Sequence, residues 1–183
     1  PIWPLLLSSS KCIADMFLKA NPKARLYLFA TWSRADQVYP DTANSPWKGQ
    51  PIQQMGKDVH AAYQQAVREE PRYTGISPVG LAWNRAMDTG VADANPYDGI
   101  EAGKVDLWAY DHYHASAYGY YLEALVDFGK ITGHDPLELD GKDRVAEALG
   151  ISPGAVDAHI ARAVLDLHLA IEKIERRGGI VRG

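Results

Sequence analysis

An α/β domain built on a parallel sheet is what this sequence predicts, and three observations carry that reading. Arg25 to Trp32 is a short, almost continuous apolar run rich in aromatics, the pattern of a strand buried on both faces. Ile52 to Glu70 follows with apolar residues at helical spacing, and Thr74 to Val79 then reads as a second short strand. Leu81 to Asp88, a helix turning away from that strand, completes a β-α-β-α rhythm.

The composition bounds the rest. A length of 183 residues suits one globular domain, 1–183, and is short for two. Hydrophobic residues at 46% and charged residues at 23% are those of an ordinary folded domain, which argues against disorder. The net charge of -4 argues against a nucleic-acid partner, because neutralising phosphates needs clustered Lys and Arg. The one basic cluster, Arg176, Arg177 and Arg182, lies in a Gly-rich tail. Pro1 to Leu7 is apolar but too short to span a membrane and has no positive flank. The lone Cys12 excludes an internal disulfide and a Cys-based zinc site, and its place on an apolar helical face predicts an inert core thiol. A chain that opens Pro-Ile-Trp-Pro without Met is expected to be a processed product or the interior of a larger polypeptide.

Taken in order, Ser10 or a neighbouring Ser is expected to cap a helix over Lys11 to Ala20, with Ile13, Met16, Phe17 and Ala20 on its apolar face. Asn21-Pro22 stops it. The strand from Arg25 releases Ser33, Arg34 and Asp36 into a loop at its carboxyl end, the edge where ligands sit in open α/β sheets. Val38 to Pro51, with Pro40, Pro46 and Gly49, is a surface excursion. The helix from Ile52 buries Met55, Val59, Ala62, Tyr63, Ala66 and Val67 and ends at Pro71. Thr89 to Gly103 is irregular, with Asn95-Pro96 and Asp98-Gly99 as turns. Ser116 is placed to cap a helix running to about Lys130 that buries Tyr121, Leu122, Leu125 and Phe128. Residues 137–183 are expected to form a helical extension, with Arg144 to Leu149 and a long helix from Pro153 to Glu175, apolar at Ala155, Ala158, Ala161, Leu165 and Leu169.

Chemistry concentrates in Asp111-His112-Tyr113-His114-Ala115-Ser116. A carboxylate three residues before an imidazole lets one short loop hold an acid and base together: Asp111 fixes the tautomer of His114, whose other nitrogen takes a proton from a nucleophile. The plain alternative is an Asp that caps a turn and a His bonded to backbone. Another is a metal site from Asp111, His112 and His114, since alternate residues of an extended segment project the same way. His60 and His168 read as packing or surface residues. Trp32, Trp83 and Trp108 read as core, with Trp32 also placed at a strand end where it can line a substrate pocket beside Arg34. Ser8, Ser9 and Ser10 read as cap and turn residues, since nothing strand-like precedes them to make a nucleophile's turn.

The block Asp111 to Ser116, followed by Gly119-Tyr120-Tyr121-Leu122, resembles the last conserved block of the SGNH (GDSL-like) hydrolase family, whose pattern is Asp-x-x-His shortly before a helix. Ala24 to Trp32 and Ser77 to Trp83 resemble internal strands of one bacterial branch of that family, so that the likeness spans roughly Ile13 to Thr132. It implies a flavodoxin-like three-layer α/β/α sandwich with a mostly parallel sheet, incomplete at the N-terminus and followed by C-terminal helices. It also implies a serine esterase site at the carboxyl edge of the sheet, with His114 as general base and Asp111 as its orienting acid, acting on a small ester without cofactor or metal. A secreted or periplasmic setting goes with the resemblance. The family's nucleophilic Ser and its Gly and Asn oxyanion donors belong to blocks that precede the matched region, and none is found here. The expectation is therefore an upstream segment or companion chain that carries the nucleophile, or else a domain that lost catalysis and kept the scaffold for binding.

Overall fold

Among the described residues, apolar spacing at 3.6 residues and two β-rich runs build four α-helices and a two-stranded parallel sheet. The computed structural model describes residues 3–134 and 136. The expected helices at 144–149 and 153–175, the extension 137–183 and the basic tail lie outside the described residues.

Helix α1 spans Trp3–Ala20, strand β1 Leu26–Phe29, helix α2 Ile52–Glu69, strand β2 Tyr73–Ser77, helix α3 Val79–Asp88 and helix α4 Ala117–Thr132. The crossover through α2 makes β1 and β2 parallel, with Leu28 opposite Ile76 and Phe29 opposite Ser77. Leu26 and Leu28 face α1 and α2, packing with Ala14, Leu18, Val67 and Tyr73. On the other face α4 crosses β2, where its Asp127 accepts a hydrogen bond from the Ser77 hydroxyl. Beyond the carboxyl ends of the strands lies the larger core, in which Trp83, Trp108, Leu107 and Leu122 are almost wholly buried.

Helix α2 follows its sequence pattern: Ile52, Met55, Gly56 and Ala66 are buried, while Val59, Ala62, Tyr63 and Val67 are half-buried. Helix α4 begins where the cap signal placed it, with the Ser116 hydroxyl accepting a hydrogen bond from Gly119 N at 3.3 Å, and ends at Gly133 with φ of 75°. Helix α3 starts earlier than its pattern suggested. Gly80 N donates to Ala30 O at 2.9 Å and packs so closely on the Thr31 carbonyl that any side chain would overlap it.

Helix α1 departs most from expectation. It starts at Trp3 rather than near Lys11, because Pro4 in a first turn lacks only an N–H that has no intrahelical partner. Ser8 and Ser10 do not cap it. Their hydroxyls donate to Leu5 O and Leu7 O at 3.1 and 2.9 Å, and the helix runs straight through them. Ser10 and Ala14 point inward, and Tyr73 Oη donates to Ser10 O at 2.9 Å. The face expected to be buried looks out instead, with Met16 67% and Phe17 59% exposed.

Cys12 shares that outward face and is exposed, so the expected core thiol is a surface thiol. In the folded 183-residue chain it should react with a maleimide about as fast as in the denatured chain. A rate lower by about tenfold or more would mean that this face is covered.

One other expectation is corrected by packing. Strand β1 is not buried on both faces: Leu26 is buried, but Tyr27, Leu28 and Phe29 are only half-buried. The apolar run from Val105 to Tyr110 makes two isolated bridges, Ala92 with Val105 and Trp108 with Ala115. No helix among the described residues is long and apolar enough to cross a membrane.

Candidate active site

The site is a tight turn clamped onto the end of a strand. Ala109 N donates to His114 O at 2.8 Å and His112 N to Ala109 O at 2.9 Å, so that residues 109–114 turn back on themselves next to the Trp108–Ala115 bridge. Within the turn Asp111 Oδ1 accepts from Tyr113 N at 3.1 Å and from His114 N at 2.9 Å. Its other oxygen, Oδ2, lies 2.6 Å from His114 Nδ1. One carboxylate thus caps the turn through Oδ1 and contacts the imidazole through Oδ2.

His112 adopts φ of 56°, a left-handed conformation that costs a residue with a side chain about 1–2 kcal/mol. Surrounding contacts hold it there: its carbonyl accepts from Asp36 N at 3.3 Å, and its ring packs edge-on to Tyr97 at 4.1 Å. This geometry removes the premise of the metal reading, in which an extended segment aims Asp111, His112 and His114 the same way. Among the described residues, no group of three potential metal-ligating side chains comes together.

Three long-range hydrogen bonds fasten the turn to the loop after β1. Trp32 Nε1 donates to Tyr113 O at 3.0 Å, Asp36 N to His112 O, and Trp108 Nε1 to Ser33 O at 2.9 Å. Ser33 is in turn anchored to α2, its hydroxyl accepting from Gly56 N at 2.9 Å. Trp32 stacks on Trp83 with ring centroids 4.9 Å apart and planes 8° from parallel. One face of Trp32 is therefore taken by core, and its N–H by the turn.

Arg34 forms a two-pronged pair with Asp36, Nε to Oδ1 at 3.0 Å and Nη2 to Oδ2 at 2.6 Å, and its guanidinium lies 3.8 Å from the Tyr113 ring centroid. The Asp36 hydrogen bond raises the Arg34 pKa above its ordinary value. Burial pushes the Asp36 carboxyl up, but the hydrogen bonds from Arg34 and Gln37 outweigh it and hold it below the usual range. Tyr113 in turn lies against His114, ring centroids 4.4 Å apart. All four residues singled out in the sequence thus converge: Asp111 and His114 touch directly, and Trp32 and Arg34 reach them through Tyr113. The sequence places Asp36 at this edge without giving it a partner and gives Tyr97 and Tyr113 no role, because an Arg-x-Asp spacing and a loop tyrosine carry no signal without the fold that joins segments some 75 positions apart.

The pair is half-open to solvent, with the His114 side chain 58% and that of Asp111 32% exposed. The His114 hydrogen bond, helped by two backbone N–H groups, holds the Asp111 carboxyl down at about 2. Asp111 is therefore ionised throughout the neutral range. At the other end of the sheet Glu70, only 5% exposed, is held at about 2 chiefly by the side-chain hydrogen bond from Arg72. Both carboxylates bind fewer protons folded than unfolded, so acid favours unfolding. Their contribution to stability is whole above the ordinary values of 4.5 and 3.8 and disappears as pH falls to about 2. Thermal midpoints measured across that window should fall steadily, and less steeply for Asp111→Asn. A flat profile would contradict the pairing of both groups.

No seryl hydroxyl among the described residues is hydrogen-bonded to His114. The Ser116 hydroxyl donates to Asp106 O at 2.6 Å, that of Ser45 to Gln37 O at 2.8 Å, and Ser77 is held by Asp127. Ser8, Ser9 and Ser10 lie in the body of α1. Comparisons with family models, with curated proteins and with solved structures find no match for this chain.

Proposed function

We propose that this chain supplies the acid–base half of a serine-dependent ester hydrolase of the SGNH type, built on a flavodoxin-like three-layer sandwich. One observation carries the reading: Asp111 Oδ2 stands 2.6 Å from His114 Nδ1 in a turn that leaves Nε2 as the ring's remaining nitrogen. The nucleophilic Ser comes from a segment outside the described residues. Its Oγ attacks the carbonyl carbon of a small ester, and His114 Nε2 takes the hydroxyl proton. The tetrahedral intermediate collapses when that proton passes to the departing alkoxide oxygen. Water then attacks the acyl-enzyme carbon, giving its proton to Nε2, and the proton returns to Ser Oγ as the acid leaves. Throughout, ionised Asp111 holds Nδ1–H and favours the imidazolium that forms transiently.

The exposure of the pair and the lack of a seryl partner among the described residues favour a second reading, a binding or interaction domain that kept the scaffold after losing its nucleophile. A fluorophosphonate probe separates the two. The hydrolase reading expects covalent labelling of the protein isolated from its native source, with mass spectrometry finding the adduct on a Ser outside residues 3–134. No labelling at any pH between about 6 and 9 would sink it, since the base must be neutral to work there.

A further inference from the structure

We infer that Arg34 and Tyr113 are positioning residues for the His114 imidazole: guanidinium, phenol ring and imidazole form one run of contacts that fixes where the ring lies, as Asp111 fixes its tautomer. The placement of the ring rests on geometry alone; its consequence for catalysis rests on the hydrolase reading.

One hydrogen bond does not orient a ring. Asp111 Oδ2 meets His114 Nδ1 at 2.6 Å, which pins a single atom and by itself would let the imidazole swing about that point. The His114 side chain is largely exposed, so burial does not stop such motion. The Tyr113 ring supplies a second contact, with centroids 4.4 Å apart and planes inclined by 42°. A pinned atom and a wall together define the position of Nε2, and proton transfer depends on that position to within about 1 Å.

Tyr113 serves as a wall because it is held at both backbone and ring. Its carbonyl accepts from Trp32 Nε1 at 3.0 Å, and Trp32 is stacked on the wholly buried Trp83. Over its ring lies the Arg34 guanidinium, 3.8 Å from the centroid, a cation–π contact. Asp36 aims that guanidinium by accepting from Nε at 3.0 Å and from Nη2 at 2.6 Å. Its own N–H is given to His112 O at 3.3 Å, so the contacts close on the turn that carries His114. Tyr113 is itself exposed, and it is these partners rather than the core that place its ring.

The same contacts argue against Arg34 as a ligand for substrate. Two of its nitrogens and a flat face are engaged, and the Asp36 carboxylate offsets its charge. The two roles differ in kinetics. Removing a ligand raises KM, whereas removing a support for the base lowers kcat.

The test joins NMR of isotope-labelled histidine in the 183-residue chain to kinetics of the protein isolated from its native source. In the parent chain the His114 ring protons should show cross-relaxation to the Tyr113 ring and lie upfield in its ring current. Tyr113→Leu should abolish both signatures. Arg34→Met combined with Asp36→Asn, which leaves no carboxylate unpaired, should weaken both. Melting temperatures should stay within about 4 °C of the parent. In the native-source protein Tyr113→Leu should lower kcat about 100-fold and the Arg34–Asp36 double variant about tenfold, with KM changed by less than about twofold. The substrates are p-nitrophenyl acetate and the carboxylate-bearing p-nitrophenyl hemisuccinate. Tyr113→Phe, which keeps the ring, should restore both the NMR signatures and the kcat lost in Tyr113→Leu. His114 signals unchanged in Tyr113→Leu would overturn the placement of the ring. Signatures lost at a parent-like kcat would overturn the positioning role, and a raised KM at parent kcat in the double variant would make Arg34 a substrate ligand instead. The NMR signatures without fluorophosphonate labelling of the native-source protein would leave the placement standing and remove the hydrolase reading.

Discussion

His114→Ala should lower the hydrolysis of p-nitrophenyl acetate by about 10⁴-fold in the protein isolated from its native source, while the fold stays intact. The expected size reflects what is lost: without an imidazole at this position, the serine proton has no acceptor and the leaving alkoxide no donor. The fold should survive because His114 is 58% exposed and the turn is closed by backbone bonds that alanine retains. The stability change should lie within about 1 kcal/mol. Asp111→Asn makes a finer distinction. Its amide oxygen can still accept from the Tyr113 and His114 N–H groups, so the turn holds, but its NH₂ group can face Nδ1 only by forcing the wrong tautomer. A large fall in kcat with little change in KM should follow. A parent-like rate for His114→Ala would show that the turn is structural and that any esterase activity resides elsewhere.

The second large effect concerns packing. In most helices Gly→Ala stabilises by about 1 kcal/mol. At Gly119, in the first turn of α4, it should instead destabilise by about 3 kcal/mol, because the new methyl group would overlap the Leu107 carbonyl and the Trp83 ring. For a domain of this size that corresponds to a fall in melting temperature of roughly 6–12 °C. Neither obstacle can step aside: Trp83 is wholly buried, and the Leu107 carbonyl is held by Ser116 N at 2.8 Å. The damage should reach the site, since displacing the start of α4 disturbs Ser116 and the bridge that closes the histidine turn. A neutral or stabilising outcome in a thermal melt would mean that α4 is seated differently.

How much of this was legible in the sequence depended on the range of the interaction responsible. Helix α2 and the Ser116 cap were legible because their causes lie within a few residues. The Asp111–His114 contact was legible for the same reason, being a three-residue reach inside one turn. Sequence periodicity misplaces helix α1 in both extent and orientation. Its serines satisfy themselves on the helix's own carbonyls, and its apolar residues occur on two sides, so periodicity alone could not say which side the sheet takes. The left-handed His112 was invisible in the same way, as only the distant Asp36 and Tyr97 hold it in place. In the sequence Arg34 stands out by its charge alone, yet its partners Asp36 and Tyr113 make it a brace for the histidine turn.

The stacked indoles have an optical consequence. Trp32 and Trp83 stack with nearly parallel planes at 4.9 Å, and Trp108 meets Trp83 edge-on at 5.3 Å, so the three chromophores are close enough to share their ultraviolet excitation. Trp32 is also the indole bonded to the Tyr113 carbonyl beside His114. A ligand that shifts that turn alters the geometry of the coupled set. Near-ultraviolet circular dichroism therefore offers a label-free signal of events at His114, with no dye and no turnover required.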